Sequence, residues 1–324
     1  MNNKIDIGNC KLCGSLFSSD TIEIPDWFNS SKKCFYFICP NCKSLELKKD
    51  IENIDYEDSP QNFARKKDSK LVRVIKSTIS YTHKINYNKI INASGKKKNK
   101  GQLLEIGCGR GHLLKLAEEE GWIVTGLEPQ YSKYTEAKNN VNGEIYNSTL
   151  ESVNFTYKYD VIILWHVFEH LENLGELLNK TKRILADDGV IIIGVPNISS
   201  LQYKIFSNNW FHLCAPAHNF QFSQKGILSL MNQSNMASYT AKHFDLIVSI
   251  TGWFFSLQNL LIKPNNYYWH YLQKTATLEK NKKNINFVKF ILTIPIIITF
   301  TVLGSLLDFL FGPRANLTIV VKHN

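Results

Sequence analysis

Several hallmarks of other protein classes are missing from this sequence of 324 residues. The first residues, Met1 to Asp6, are polar and lack the apolar core of a signal peptide. Seven cysteines in so long a chain do not indicate a secreted scaffold held by disulfides. The 17 glycines and nine prolines exclude a collagen-like chain, and no internal repeat is evident. We therefore expect a cytoplasmic protein in a reducing compartment.

The composition that is present is typical of a globular protein of about two domains. Apolar residues make up 44% of the chain and charged residues 20%, which excludes a disordered chain and a polytopic membrane protein. The formal charge of +10 permits nucleic acid, phosphate-bearing substrates or an acidic membrane surface as partners without selecting one. We divide the chain into a cysteine-rich head (1–50), a Lys-rich linker (51–100) and a main domain (101–324).

The main domain alternates short apolar runs with helical patterns up to about residue 251. This alternation predicts a parallel sheet with helices on both faces, and such sheets bind ligands outside the carboxyl ends of their strands. The predicted strands are 103–107, 122–127, 144–146, 159–164, 190–195 and 244–250, and the predicted helices are 111–120, 171–185 and 224–236. Motifs at the strand ends therefore carry most of the functional argument.

A glycine-rich loop, EIGCGRGH, follows the first predicted strand. Gly107, Gly109 and Gly111 allow a tight turn close to a ligand, and the helix behind them favours a negative group. His112 stands where the dinucleotide fingerprint needs a third small residue, so a diphosphate fits poorly. Glu105 would repel a diphosphate but pair with an ammonium group. A ligand with both an amino group and a carboxylate fits better, and the methionine moiety of S-adenosylmethionine is such a ligand.

A second acid, Glu128, ends the next predicted strand in the sequence VTGLEP. A carboxylate at this place can accept both hydrogen bonds from a ribose diol. Alone it would be interpreted as a solvated acid at a strand end. The glycine loop before it favours the ligand-binding interpretation.

Five segments together resemble the class I S-adenosylmethionine-dependent methyltransferases, in particular bacterial members that modify sugars, polysaccharides or lipids. They are LLEIGCGRGHLL, VTGLEP, YDVIILWHVFEHLENL, LADDGVIIIGVPN and APAHNFQFS. The resemblance implies an α/β, Rossmann-like fold with a seven-stranded, mostly parallel sheet whose last strand is antiparallel. It also implies that Glu105, Gly107 and Gly109 hold the methionine part of the cofactor and that Glu128 holds the ribose.

The same resemblance assigns residues after the third and fourth strands of the sheet. The segment 147–150, which includes Thr149 and Leu150, would border the adenine. Trp165 and His166 would lie near the methyl group that is transferred.

Three histidines are candidates for proton transfer to or from an oxygen acceptor, for which a base poised near neutrality is needed. His166 and His218 are each open to interpretation as a catalytic base or as a pocket-lining residue, and His218 lies in an excursion (196–243) expected to cap the acceptor pocket. For His170, pairing with Glu169 or a backbone group at the helix start is favoured. A metal pair of His166 and His170 is rejected, because Glu169 is misplaced for the metalloprotease motif and no third ligand is evident.

Two CxxC motifs in the head, separated by 25 residues, predict a structural Zn²⁺ site. Cys10, Cys13, Cys39 and Cys42 would surround one ion with four thiolates and leave no open coordination position. A redox pair is the main alternative, but it does not need two copies of the motif. The arrangement resembles the zinc-ribbon heads of nucleotide-sugar methyltransferases.

An apolar run of 18 residues (290–307) lies between Lys289 and Asp308. Its length is at the lower limit for a membrane span, and Pro295 interrupts it. The last predicted strand (317–321) must rejoin the sheet, so both ends of the apolar insertion (251–315) lie on one side of any bilayer. We therefore expect membrane contact through 285–312 as an interfacial segment or a bent hairpin. Burial against the domain itself or against a second subunit is the alternative.

Three functions are compatible with these patterns. The leading hypothesis is a methyltransferase that acts at oxygen on a small or lipid-linked acceptor (a sugar, polysaccharide or polyprenyl-type intermediate) at the cytoplasmic membrane face. The second is an RNA methyltransferase that uses the head and the basic run 96–100, although the lack of a basic stripe interleaved with aromatics argues against nucleic acid. The third is a membrane-associated adaptor that binds the cofactor without turnover. The sequence leaves a homo-oligomer open.

Overall fold

The computed structural model describes residues 8–27, 32–48, 84–96, 101–241, 245–263, 265–266, 269 and 280–323. Most of the predicted linker (51–83 and 97–100), including most of its basic run, lies outside the described residues. The described part contains the two CxxC motifs, the main domain and the apolar segment.

The strands of the described residues belong to two sheets. They are β1 (Thr21–Pro25), β2 (Lys33–Ile38), β3 (Leu45–Leu47), β4 (Gln102–Ile106), β5 (Ile123–Leu127), β6 (Glu144–Tyr146), β7 (Tyr159–Trp165), β8 (Leu185–Pro196), β9 (Phe220–Gln221), β10 (Met236–Ala241) and β11 (Asn316–His323). The larger sheet has seven strands in the order β10-β11-β8-β7-β4-β5-β6. Only β11 is antiparallel to its neighbours among these strands. The predicted Rossmann-like sheet is confirmed.

Helices connect the strands of the larger sheet and cover both of its faces. They are α1 (84–94), α2 (His112–Glu119), α3 (Tyr131–Asn140), α4 (Leu174–Ile184), α5 (Leu201–Phe206), α6 (Gln224–Gln233), α7 (Leu246–Leu261) and α8 (Lys280–Phe311). The central strands β7 and β8 are almost continuously apolar because both of their faces are buried. Successive residues alternate between two cores: Leu104 packs with α4 and α6, and Leu103 packs with α1, α2 and α3.

One predicted strand, 244–250, is wrong. The sixth parallel strand is β10, and the segment after it begins α7 instead. The side chain of Asp245 accepts hydrogen bonds from the backbone N–H groups of Ile247 and Val248, which caps the first turn of this helix. The run of Val248 and Ile250 fits a buried helix as well as a strand, so periodicity alone did not separate the two.

The cysteine-rich head is a small antiparallel ribbon that packs on the main domain. Its strands β1, β2 and β3 form a second sheet with β9, a strand of the excursion between β8 and α6. Cys10, Leu12, Cys39 and Cys42 belong to the same apolar core as β9 and one face of the larger sheet. The head is therefore part of the wall of the main domain.

The apolar run forms one continuous helix, α8, with Pro295 inside it. Of the two forms expected for this segment, an interfacial segment or a bent hairpin, the bent hairpin is wrong, because the run is one helix and the antiparallel arm beside it is α7. Within the described residues one segment, Ile291–Phe311, is long and apolar enough to span a bilayer, and only 28% of its most apolar stretch is buried. Length and composition alone are weak evidence for a membrane.

The start of α7 and the end of α8 lie at the same edge of the larger sheet. Ala241, the last residue of β10, is paired with Thr318 near the start of β11, and α7 follows the first strand while α8 precedes the second. This edge is also where the parallel strands end, because β10 runs in their direction. Both ends of the insertion thus lie at the carboxyl edge of the sheet.

Candidate active site

The glycine loop after β4 is shaped by three left-handed residues. Gly107, Gly109 and Gly111 have φ of 73°, 56° and 75°, a region that other residues adopt with strain. A side chain at position 107 would also come within 2.3 Å of the Val167 side chain. The backbone N–H groups of residues 107 and 108 donate to Leu127 O, which fastens the loop to the end of β5. The loop therefore keeps its backbone open toward the crevice.

Glu105 is a buried carboxyl group beside this loop, with 6% of its surface exposed. Its Oε2 atom has no hydrogen-bond partner within the described residues. Burial, and second the charge of Glu128, raise the pKa of Glu105 well above its usual value. A buried acceptor without a partner is costly, so it fits a site where a ligand donates to it. An ammonium group satisfies both the open acceptor and the charge.

Glu128 is held in place by backbone donors on both sides. Its Oε2 accepts from Gly109 N at 2.9 Å, and its Oε1 accepts from Gln130 N at 2.8 Å. Each carboxylate oxygen can accept a second hydrogen bond, so a ribose diol can still be bound there. Asn147 donates from Nδ2 to the carbonyls of Glu128 and Pro129 at 2.9 and 2.8 Å. This amide ties the end of β6 to the segment that carries Glu128.

The remaining predicted cofactor residues lie at the ends of neighbouring strands. Thr149 is exposed and Leu150 is buried, at the start of a short 3₁₀ helix after β6. Trp165 ends β7, and its ring lies against Gly194, where a side chain would come within 2.4 Å of it. The topology thus brings the ends of β4, β5, β6 and β7 to one edge of the sheet.

His166 is the residue that follows β7, and it adopts an unusual backbone conformation. Its φ of 55° lies in the left-handed region, which costs a non-glycine residue about 1–3 kcal/mol. The backbone N–H of His166 donates to Gly194 O at 2.9 Å, which helps to hold this conformation. The ring Nδ1 lies 3.4 Å from Glu169 Oε1, and the ring Nε2 is buried without a partner in the described part of the chain.

His166 and Glu169 each favour the charged form of the other. Burial alone would lower the pKa of His166, but the hydrogen bond and charge of Glu169 outweigh it, so the pKa of the ring is raised. Burial alone would raise the pKa of Glu169, but its contact with His166 and the charges of nearby histidines lower that pKa to about 2. An ionised carboxylate that orients a histidine and strengthens it as a base is an arrangement suited to proton transfer.

His218 approaches the same oxygen of Glu169 as His166 does. Its Nε2 lies 4.0 Å from Glu169 Oε1, and burial, followed by the charge of His170, lowers its pKa to about 3. His170 is exposed, and its Nδ1 lies 2.9 Å from Ala217 O. The ligand atoms of Glu169, His170 and His218 lie within 4.8 Å of one another, and this group does not include His166, the other member of the rejected metal pair.

The four cysteines of the head converge as predicted. Their sulfur atoms all lie within 4.8 Å of one another. The Cys10–Cys42 separation is 3.8 Å and the Cys13–Cys39 separation is 3.4 Å. Four sulfurs at about 2.3 Å from a tetrahedral zinc are about 3.8 Å apart, so the cluster fits this ion.

Two acidic residues near His166 were not among the residues predicted for the site. The sequence favoured a pairing of His170 with Glu169 or with a backbone group, and the structure places its Nδ1 beside the backbone oxygen of Ala217. Glu169 pairs with His166 instead, in a 3₁₀ turn that the i to i+4 spacing does not describe. Asp245, hidden in a predicted strand, is close enough to His166 for its charge to raise the pKa of that ring. A helix-capping signal, an acid directly before an apolar run, marks Asp245 in the sequence.

Part of this chain is similar in sequence to known methyltransferases. Residues 80–241 match the model of a family described as "Methyltransferase domain". A ubiquinone biosynthesis O-methyltransferase of Rickettsia bellii is 32% identical over 110 residues, which cover 32% of this chain and 45% of that protein. An uncharacterized methyltransferase of Alkaliphilus oremlandii is 32% identical over 110 residues, which cover 33% and 51%. The chain spans about half the length of the curated relatives it matches.

Solved structures resemble the chain at lower identity. A SAM dependent methyltransferase from Archaeoglobus fulgidus is 16% identical, with a TM-score of 0.45 over 77% of this chain and 98% of that one.

Proposed function

The chain belongs to the methyltransferase domain family, as the resemblance of its motifs predicted, and from that premise we propose that it transfers a methyl group from S-adenosylmethionine to an oxygen of a small or lipid-linked acceptor. The observation that carries this proposal is the buried Oε2 of Glu105, which has no partner in the described residues and lies beside a loop of left-handed glycines. A site for a cationic amino acid next to a ribose acceptor is what this cofactor requires.

Different residues at the strand ends bind the different parts of the cofactor. Glu105 binds the ammonium group, Gly107 and Gly109 leave room for the methionine part, and Glu128 binds the ribose. Leu150 supplies an apolar contact for the adenine, with Thr149 at the rim. When bound, S-adenosylmethionine supplies an electrophilic methyl group, and the enzyme mainly aligns the acceptor and excludes water.

His166 is the base in this proposal and Glu169 is its positioning residue. The raised pKa of His166 suits it to take a proton from an acceptor hydroxyl, because a base works best when its pKa is near the operating pH. The low pKa of His218 makes that ring a neutral wall of the acceptor site instead. Trp165 closes the crevice between the base and the cofactor.

A lipid-linked acceptor is supported by where α7 begins. The charge of Asp245, which caps α7, raises the pKa of His166. The next residue, Leu246, lines an apolar groove of about 530 Å³ between α7 and α8. Other lining residues include Ile250, Phe254 and Val302. A hydroxyl at His166 would thus be close to apolar surface suited to a hydrocarbon chain.

The outer surface of α8 supports contact with a membrane. The large apolar side chains of α8 that are at least half exposed are Val288, Ile291, Leu292, Ile296, Ile298, Phe300, Val302, Leu303, Leu306, Phe309, Leu310 and Phe311, of which Ile298, Val302, Leu306 and Phe309 line the groove against α7. Exposed apolar patches of this extent mark interaction sites. Since both ends of the α7–α8 pair are anchored at one edge of the sheet, the pair enters a bilayer from one side, at the cytoplasmic face, and presents the crevice to it.

The cofactor assignment is tested by calorimetric titration with S-adenosylhomocysteine. We expect wild-type protein to bind and the Glu105→Gln variant to bind about 10- to 100-fold more weakly, because a buried charged hydrogen bond is lost. We also expect wild type to release a proton on binding, because its Glu105 pKa is raised and an ammonium group favours the ionised form.

Glu176→Gln is the matched control, since Glu176 is an exposed acid on α4 and not beside the glycine loop. It should bind as wild type does. Equal affinity of wild type and Glu105→Gln would show that the ammonium assignment is misplaced.

A further inference from the structure

The cysteine-bearing head and the segment that carries His218 are joined by backbone pairing. β3 pairs with β9 just after His218. The backbone N–H of Leu47 donates to Asn219 O at 2.8 Å. The hydroxyl of Tyr36, a fully buried residue of β2, donates to His218 O at 2.7 Å. The backbone around His218 is thus hydrogen-bonded to the head at several consecutive positions.

The second cysteine knuckle continues this contact beyond β9. The Ser223 hydroxyl donates to Cys42 O, and it lies 3.0 Å from the hydroxyl of Ser44. Ser223 also caps α6 by accepting from Gly226 N at 2.9 Å. A side chain at Gly226 would come within 2.2 Å of Ser44 Oγ and 3.3 Å of Cys42 Sγ. The first turn of α6 therefore rests directly on the cysteine cluster.

The same segment also contacts the turn that carries Glu169 and His170. Asn219 N donates to Glu169 O at 2.8 Å, and His170 Nδ1 lies 2.9 Å from Ala217 O. Residues 217–223 therefore lie between the cysteine cluster and the Glu169 side chain that orients His166. The glycine loop is held separately, by its hydrogen bonds to β5 and Glu128.

We propose that the cysteine cluster, with its metal bound, positions the acceptor side of the active site, and that Tyr36 is the positioning residue that passes this constraint to His218. A head of about 40 residues has too small a core to be ordered alone, and metal binding supplies its folding free energy. That free energy also fixes β9 because β9 completes the sheet of the head. The cofactor side of the crevice is independent of the metal.

The test is amide hydrogen exchange of the full-length protein, with the zinc ion alone as the probe. Removing the metal with a chelator should accelerate exchange in 217–223, and adding Zn²⁺ should restore the protection. Exchange in the glycine loop (107–111) should not change. The same exchange rate in 217–223 with and without zinc, or equal acceleration at both places, would overturn the proposal.

Tyr36→Phe separates positioning from unfolding of the head, because it removes one hydroxyl and leaves the cysteines intact. It should retain its zinc and accelerate exchange in 217–223 by about tenfold, the size expected for one lost hydrogen bond. Tyr87→Phe is the matched control: Tyr87 is also fully buried, and its hydroxyl donates to Glu120 at 3.0 Å on the other face of the sheet. Equal exchange in the two variants would contradict the role of Tyr36.

The catalytic meaning of this constraint rests on the proposed function, and the two fail separately. S-adenosylhomocysteine affinity is measured on the same samples and should be unchanged in Tyr36→Phe and in the zinc-free protein. Loss of this affinity together with protection would show general unfolding and overturn the proposal. Wild-type protein that binds no S-adenosylhomocysteine would overturn the proposed function, whereas the exchange data would still decide the positioning.

Discussion

At the scale of single residues, two buried glutamates of the crevice experience opposite surroundings. Glu105 lies near a second acid, and burial raises its pKa well above the usual value. Glu169 lies among histidines, which outweigh burial and lower its pKa to about 2. The Glu105 carboxyl group therefore lacks a cation that would favour its ionised form, while the Glu169 carboxyl group is already ionised beside His166. This contrast supports the proposed roles, in which Glu105 binds the ammonium group and Glu169 orients the base His166.

The role of Glu169 can be tested by the pH dependence of methyl transfer. A base must be unprotonated, so activity should rise as pH passes upward through the pKa of His166. In Glu169→Gln the carboxylate that raises this pKa is gone and burial still lowers it, so the acid limb should move to lower pH. The maximal rate should fall about tenfold or more because the weaker base is also less well oriented.

The control for this variant is Glu176→Gln, an exposed acid on α4. Its pH profile should match that of wild type. A Glu169→Gln profile that keeps the wild-type acid limb would mean that another group is the base.

At the scale of secondary-structure elements, α7 and α8 are joined by a buried polar contact within an apolar pair. Asp308 Oδ2 accepts hydrogen bonds from Ser249 Oγ at 2.7 Å, Trp253 Nε1 at 3.0 Å and Gln202 Nε2 at 2.7 Å. Gly304 lets α8 approach, since a side chain there would meet the Trp253 ring at 2.2 Å. These contacts fix the orientation of α8, so that its outer face stays apolar and exposed.

The exposed face of α8 makes the membrane proposal testable by partition onto anionic vesicles. Replacing Leu292 and Leu303, 71% and 51% exposed, by lysine should weaken partition at least about tenfold, because a charge is costly inside a bilayer. Ile123→Lys is the control: Ile123 is 62% exposed at the start of β5, away from this edge. Membrane contact would be contradicted if the double variant partitioned as strongly as wild type. It would also be contradicted if wild type were a dimer and the two lysines dissociated it.

At the scale of the whole molecule, local pattern explains which parts were predictable. The sheet from β4 to β8 was predictable because its strands contain short apolar runs that alternate, for the most part, with helices. The positions of the glycine loop and of Glu128 were predictable because both follow parallel strands, and such sheets bind ligands outside the carboxyl ends of their strands. The four cysteines were predictable from spacing alone.

The contacts that could not be predicted join distant parts of the chain. The pairing of Leu45 with Gln221 depends on how the head docks, and no local pattern encodes it. The antiparallel partner of α8 was missed because α7 was predicted as a strand. The His166–Glu169 pair depends on a left-handed backbone at His166, which helical spacing does not indicate.

The central claim is methyl transfer to a small or lipid-linked acceptor, and the most direct test is transfer of a tritiated methyl group from S-adenosylmethionine into cell extract. The extract is separated afterwards into lipid, water-soluble small-molecule and RNA pools. We predict label in the lipid pool with wild type, and strongly reduced label with Glu105→Gln. Label in the water-soluble pool would retain the methyltransferase and contradict its place at a membrane. Label only in RNA, or in no pool, would contradict the account.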